Sequence, residues 1–169
     1  MFYTHSYESP LGPLLLSCTD TALTGVQMGM PSPAEQDHPL LKAASTWLDA
    51  YFAGTPLPLT IALEPAGTPF QKLIWQQLLD IPFGQTRTYG DLAADAARLM
   101  GQQRMSAQAV GGAVGRNPIA IAIPCHRCIG AGGNLVGYAG GLEKKRWLLQ
   151  HEAQFSTDSR SDFVHFAKT

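Results

Sequence analysis

The stretch IAIPCHRCIG, residues 121–130, sets a cysteine directly beside a histidine after an apolar run and a proline. A free thiol is a modest nucleophile at neutral pH, and its thiolate must be favoured by a base, a cation or helix N-terminal dipoles. Cys125 has His126 and Arg127 next to it in the chain. Adjacency alone proves little, because successive side chains usually diverge, and the base could instead act through a bridging water. Glu152 follows Leu148 by four residues and Leu149 by three, on the apolar side of a final helix. A carboxylate placed there could orient and polarise an imidazole, as the third member of a Cys/His/carboxylate network.

Cys125 and Cys128 also form a CxxC, which admits two other chemistries. A thioredoxin-like redox pair opens a helix after a strand in a βαβ layout, whereas this one runs into IGAGGNLVGYAGG, which is no helix. A structural zinc site needs a second ligand pair, and neither His151 nor Cys18 stands at ligand spacing. Cys18 reads as a buried apolar residue on a strand. No metal site is expected.

The elements that must position these residues fall into two segments. In the first, FYTHSY, LLLSC and ALTGVQM, separated by SPLGP and TDT, read as three short antiparallel strands. In LLKAASTWLDAYFAG, Leu41, Ala44, Trp47, Leu48, Tyr51 and Phe52 recur at helical spacing before Gly54. A strand-like LPLTIALE leads to the Pro/Gly linker EPAGTP, which places a domain boundary at about residue 66.

The second segment, residues 67–153, opens with a helix capped by Thr68 and Pro69, with Phe70, Leu73, Ile74 and Leu78 on one face. Thr88 and Asp91 make a capping-box start for YGDLAADAARLMG, closed by Gly101, and Ser106 opens SAQAVGGAVG. Two consecutive helices joined by a turn have the outline of a helix-turn-helix. The second helix is made of small residues, which suit close backbone approach, as in a minor groove, better than reading base edges in the major groove; packing against another helix is the alternative. IGAGGNLVGYAGG is expected to be a hairpin or wing. LEKKRWLLQHEA is a last helix with Leu142, Leu148 and Leu149 inward, and residues 154–169 are expected to be a flexible tail. The fold class is α+β: a small N-terminal domain with a three-stranded antiparallel sheet, then a mostly helical C-terminal domain with a winged helix-turn-helix.

Length and charge bound the rest. A chain of 169 residues can bury one good core or two small ones. Its net charge is −1, but residues 1–66 carry −5 and residues 67–153 carry +4, which suggests an anion-facing module joined to an acidic support. Three cysteines make no disulfide framework, MFYTHSYESP lacks signal-peptide character, and no apolar run approaches the roughly 20 residues of a membrane span. A soluble, cytoplasmic protein with no membrane partner is expected, acting as a monomer.

The series TPFQKLIWQQLLDIPFGQTRTYGDLA, AVGGAVGRNP and IPCHRCIGAGGNLVGYAGGLEKKRWLLQHE resembles the methylated-DNA–protein-cysteine methyltransferases, which repair guanine alkylated at O6. It spans essentially all of residues 67–153. The resemblance implies that Cys125 accepts the alkyl group, that His126 is its base through a water, and that Glu152 holds the histidine. It implies that Asn117 stabilises the turn before the active site, and that Tyr89 helps extrude the base. Cys125, Cys128 and Ala139, through backbone groups, would line the guanine pocket with Tyr138 and Lys145. Duplex DNA carrying O6-alkylguanine would be the partner, with the Ala/Gly-rich helix in its minor groove. Thr88, Ala107, Ala109 and Gly111 would contact it, with Arg104 and Arg116 contributing.

The sequence departs from the family pattern in three places. Gln108 stands where the family usually intercalates an arginine, and it loses cation stacking and phosphate attraction. The turn LMGQQRM is several residues longer than expected, and Cys128 replaces the usual valine.

The implied chemistry flips the base out of the stack, at a cost of a few kcal/mol, and displaces guanine from the alkyl carbon by the thiolate. A thioether has no easy leaving group, so each molecule would be consumed by one lesion, O4-alkylthymine being a poorer substrate. Neither a cofactor nor a metal is implied. Two other classes of function stay open: a Cys/His/Glu hydrolase or acyl transferase with an oxyanion hole in the GAGG or YAGG turns, and a non-catalytic lesion binder.

Overall fold

The computed structural model describes residues 1–156. The chain forms two compact units, the first from residues 1–66 with 118–122, the second from residues 67–117 and the chain from Ile123 onward.

In the first unit, β1 (Tyr3–Ser9), β2 (Gly12–Cys18) and β3 (Leu23–Met28) form an antiparallel meander in that order. Leu14, Leu16 and Cys18 of β2 are buried while the residues between them are only half-buried, the period-two signature of a sheet with one covered face. That face is covered by α1 (Pro39–Phe52) through Leu41, Ala44, Leu48 and Tyr51. His38 caps α1 by accepting the Leu40 N–H, a cap that an inspection for Ser, Thr, Asp or Asn overlooks.

The expected strand LPLTIALE does not form. Pro56 and Pro58 lack the N–H a ladder requires, and only Leu63 makes an isolated parallel bridge, to Leu23. The apolar run 118–122 bridges β3 at Val26 and Ile119, then turns sharply. The Ala122 N–H donates to the Ala120 carbonyl across Ile121, whose φ of 69° is the only positive value at a described non-glycine residue. That is a γ-turn of the strained, positive-φ kind, costly for a β-branched residue.

The second unit is mostly helical. The Thr68 capping box starts α2 (Pro69–Leu79), whose buried face is Ile74, Trp75, Gln77 and Leu78. Phe70 and Leu73, expected on that face, are only half-buried. The Trp75 indole N–H donates to the Ala113 carbonyl at 2.8 Å, fastening α2 to α4 (Ala107–Gly115). Thr88 and Asp91 form the expected capping box of α3 (Tyr89–Leu99). Gly101, at φ 67°, ends α3 in a Schellman turn, with the Gln102 N–H on the Ala97 carbonyl and the Gly101 N–H on that of Arg98.

Two short strands, β4 (Arg87–Thr88) and β5 (Cys128–Ile129), pair in parallel, Arg87 opposite Cys128 and Thr88 opposite Ile129. The IGAGG stretch makes no strand hairpin: it is a glycine-turned wing loop with one 3-10 turn, Ala131–Gly133.

The last helix, α5, runs Leu142–Phe155, so Gln154 and Phe155 of the expected tail are helical; the tail from residue 157 lies outside the described residues. Leu142, expected inward, is 43% exposed, because the buried stripe starts one turn later. That stripe is Lys145, Leu148, Leu149 and Glu152, at i, i+3, i+4 and i+7. Two of its four residues are charged, and both are completely buried.

Candidate active site

Cys125 opens a single 3-10 turn, Cys125–Arg127, at the end of a backbone that reverses tightly. Pro124 (φ −81°, ψ 66°) is the centre of an inverse γ-turn closed by the Cys125 N–H on the Ile123 carbonyl at 2.8 Å. The Asn117 amide also donates to Ile123 O, at 2.8 Å. The turn therefore delivers the thiol in a fixed orientation. Only 8% of Cys125 is exposed. Burial pushes its thiol pKa up, opposed by hydrogen bonding from the Asn117 amide, the Lys145 charge, the backbone N–H and the Tyr138 hydroxyl. At rest the sulfur is a protonated thiol surrounded by groups that favour its anion.

His126 is completely buried, together with Glu152. Its Nε2 bonds Glu152 Oε2. With the carboxylate ionised, Nε2 carries the proton and Nδ1 the lone pair, the tautomer needed for a base. Glu152 is bonded at both oxygens. Arg127 donates from Nε to Oε1 (2.8 Å) and from a terminal nitrogen to Oε2 (3.2 Å), and the Gly84 N–H donates to Oε1 (3.0 Å). Burial alone would raise the Glu152 pKa, but His126 and Arg127 together hold it well below the usual carboxylate range. His126 is shifted down, mainly by burial, with the Arg127 and Lys145 charges acting in the same sense and Glu152 against them.

Gly84 is required for this arrangement on two counts. Its φ is +84°, and a Cβ there would come within 2.4 Å of the Ser156 hydroxyl oxygen.

Lys145 organises the surroundings of the Cys125 thiol on the α5 side. Its ammonium donates to the carbonyls of Cys128 (2.7 Å), Val136 (3.0 Å) and Gly137 (3.3 Å), and to the Tyr89 hydroxyl (3.5 Å). Tyr89 in turn donates to Val136 O at 3.0 Å. Burial lowers the Lys145 pKa and raises that of Tyr89. The Cys128 thiol, also shifted chiefly by burial, is pushed up to about 12, which leaves it protonated and inert. Tyr138 places a buried hydroxyl at the Cys125 sulfur, while Ala139 is exposed.

The structure thus brings Cys125, His126, Glu152, Asn117, Tyr89, Cys128, Tyr138 and Lys145 into one connected cluster. It adds Arg127 and Gly84, which the sequence reading did not single out. Arg127 had one legible signal: an arginine beside a buried histidine needs a counter-charge. Gly84 had none.

The remaining residues belong to α3 and α4. Ala107, Gln108 and Ala109 are exposed on α4. Gly111 faces the Tyr89 ring, where an added Cβ would sit at 3.8 Å. Val110, Ala113 and Val114 pack inward, so α4 is helix-packing on one side and open on the other. Arg104 and Arg116 are exposed beyond the two ends of this nine-residue helix. The Thr88 hydroxyl accepts the Asp91 N–H at 3.0 Å as the α3 cap. Beside it a groove of about 470 Å³ is lined by Gly90, Ala93, Ala97, Arg98, Arg104 and Met105, among others. Among the described residues no cluster of three His, Cys, Asp or Glu side chains could hold a metal, and no helix is long and apolar enough to cross a membrane.

Comparison with known proteins matches both segments. A family model described as "6-O-methylguanine DNA methyltransferase, DNA binding domain" matches residues 69–154, and one for the "ribonuclease-like domain" of the same proteins matches residues 2–65. The methylated-DNA–protein-cysteine methyltransferase of Methanosarcina acetivorans is 43% identical over 159 residues, 90% of this chain and 98% of that one. That of Mycobacterium leprae is 44% identical over 158 residues, 90% of this chain and 93% of that one. A crystal structure of Mycobacterium tuberculosis OGT in complex with DNA is similar, with a TM-score of 0.79 and 39% identity, covering 97% of this chain and 99% of that one.

Proposed function

The chain belongs to the 6-O-methylguanine DNA methyltransferases, and from that premise we propose that it repairs O6-alkylguanine in duplex DNA by direct reversal, transferring the alkyl group to Cys125. The observation that carries the assignment to Cys125 is the wiring behind it: His126 bonded to a Glu152 whose two oxygens are fixed by Arg127 and Gly84.

The open side of α4 lies against the minor groove, where small residues permit close approach and Gln108 fills the gap left in the base stack. Thr88 serves first as a cap, and Arg104 and Arg116 meet phosphates on either side. Tyr89 assists extrusion of the damaged nucleotide, and the base enters a pocket formed by backbone groups of Cys125, Cys128 and Ala139 with Tyr138 and Lys145. The Cys125 proton passes through water to His126 Nδ1. The sulfur then forms its bond to the alkyl carbon in line with the breaking carbon–O6 bond, and the released electron pair stays on guanine, which takes a proton or hydrogen bond from Tyr89. Repaired guanine and S-alkylcysteine are the products. Each chain acts as a monomer and acts once, and O4-alkylthymine is a poorer substrate.

We assign the first 66 residues to an acidic support, residues 67–153 to DNA binding and transfer, and the protein to the cytoplasm. A Cys/His/Glu hydrolase would use the same cluster but gives no role to the exposed Ala/Gly face of α4.

Mixing the protein with a duplex carrying one O6-methylguanine and taking intact mass spectra tests the reading. One methyl adduct per chain, mapped to Cys125 and absent from Cys125→Ala, is expected. Turnover beyond one lesion per chain, or binding without an adduct, overturns it.

A further inference from the structure

We infer that Arg127 is a positioning residue for alkyl transfer: its guanidinium fixes the Glu152 carboxylate as an anion and so keeps His126 neutral and able to accept the Cys125 proton. The inference rests on the alkyl-transfer reading above.

The fork geometry comes first. Arg127 is 8% exposed and makes two side-on bonds to Glu152, while its other terminal nitrogen donates to Ile81 O at 2.7 Å and its charge lies 5.8 Å from the centre of the Phe83 ring. With Gly84 also on Oε1, the carboxylate plane cannot rotate, and Oε2 is aimed at the imidazole. A lysine could supply the charge but not the two-point grip.

Charge balance comes second. Facing His126 are Glu152 and Lys145 from α5 and Arg127 from its own turn, while the Cys125 thiol interacts with Lys145 and with the Tyr138 hydroxyl of the wing loop. Arg127 and Glu152 already cancel. A proton on His126 would put an uncompensated positive charge where bulk solvent does not reach, with Lys145 as a further cation nearby. Take Arg127 away and the same proton becomes the counter-charge Glu152 needs. The pair then holds it at neutral pH, and the base is occupied before the reaction starts.

Single-turnover methyl transfer measured from weakly acidic to weakly basic pH tests this in the full chain. Removal of Arg127 raises the His126 pKa, so the base is lost over a wider acidic range. In Arg127→Met the acid limb is expected to move up by about one pH unit, a roughly tenfold slower reaction at any pH on that limb. Arg127→Lys should lie between Met and wild type. The double variant Arg127→Met/Glu152→Gln removes the charge together with its partner and should bring the limb back toward its wild-type position. A folded Arg127→Met with an unmoved limb, or a double variant shifted as far as the single one, overturns the inference.

If Arg127→Met does not fold, nitrogen NMR of the wild-type imidazole decides: a neutral His126 ring at physiological pH supports the proposal, and a doubly protonated ring refutes it. A wild type that makes no adduct would sink the alkyl-transfer reading instead, and the NMR result would still stand for Arg127.

Discussion

Substituting Lys145 by Met should separate what a buried cation does for stability from what it does for the nucleophile. The ammonium is completely buried and converges on three carbonyls and one hydroxyl. A hydrogen bond from a charged donor contributes about 1.5–3 kcal/mol, but the cost of desolvating the ammonium offsets part of that, as its lowered pKa indicates. Met keeps most of the stem volume, so little cavity energy is involved. Val136 and Gly137 are exposed residues, whereas Cys128 is fully buried and its carbonyl would be stranded. One stranded carbonyl costs about 1–3 kcal/mol, and loss of the wing-loop anchor adds to it, giving an expected total of about 2–3 kcal/mol.

The same change removes a positive charge that stabilises the Cys125 thiolate, so the thiol pKa should rise further. Urea unfolding measures the first effect, and the pH dependence of Cys125 alkylation by iodoacetamide measures the second. Stability lowered by less than about 0.5 kcal/mol together with an unchanged thiol titration would refute the reasoning on both counts.

Glu152→Ala should cost about 3–5 kcal/mol in urea unfolding, because Arg127 would be left buried without its counter-charge; a loss typical of a surface residue would contradict the geometry. The Glu152 pKa is depressed in the folded state, so its contribution is complete above the ordinary carboxylate range and is lost as pH falls below it. Acid unfolding of wild type should therefore be steeper than that of Glu152→Gln. Gly84→Ala is expected to lose more than about 1 kcal/mol from its left-handed backbone and crowding at Ser156, read from the shift of the thermal midpoint. Gln108→Arg should tighten duplex binding and steepen the log–log salt dependence by about 0.9, in a titration at several salt concentrations; an unchanged slope would mean that residue 108 does not approach a phosphate.

The sequence made the local signals readable and hid those that depend on tertiary partners. Thr68, Thr88 and Ser106 announce their helices because a cap is a local hydrogen bond, and all three caps form. The alternation in β2 and the spacing in α1 are equally local. LPLTIALE misleads because its composition suits a strand while Pro58 within it and Pro56 just before it deny it a ladder, and Leu142 misleads because the position of a stripe within a first turn depends on what the helix packs against. Glu152 could be placed inward by spacing from Leu148 and Leu149, and one more step of the same spacing reaches Lys145. The grip of Arg127 and the N–H of Gly84 reach Glu152 across 25 and 68 residues of chain, and of the two only the arginine's need for a counter-charge could be read.

The two-rung parallel pairing of β4 with β5 has a mechanical consequence. Tyr89 follows Thr88 directly, and Cys125 is three residues before Cys128, so the side chain proposed to push on the nucleotide and the atom proposed to receive its alkyl group are referenced to one short backbone ruler. Neighbouring strands stand about 4.8 Å apart and resist sliding in steps smaller than a residue. Placement error between the two is therefore confined to a few backbone torsions. A slip of one rung would carry Tyr89 away from the acceptor by about 3.3 Å, enough to spoil in-line attack.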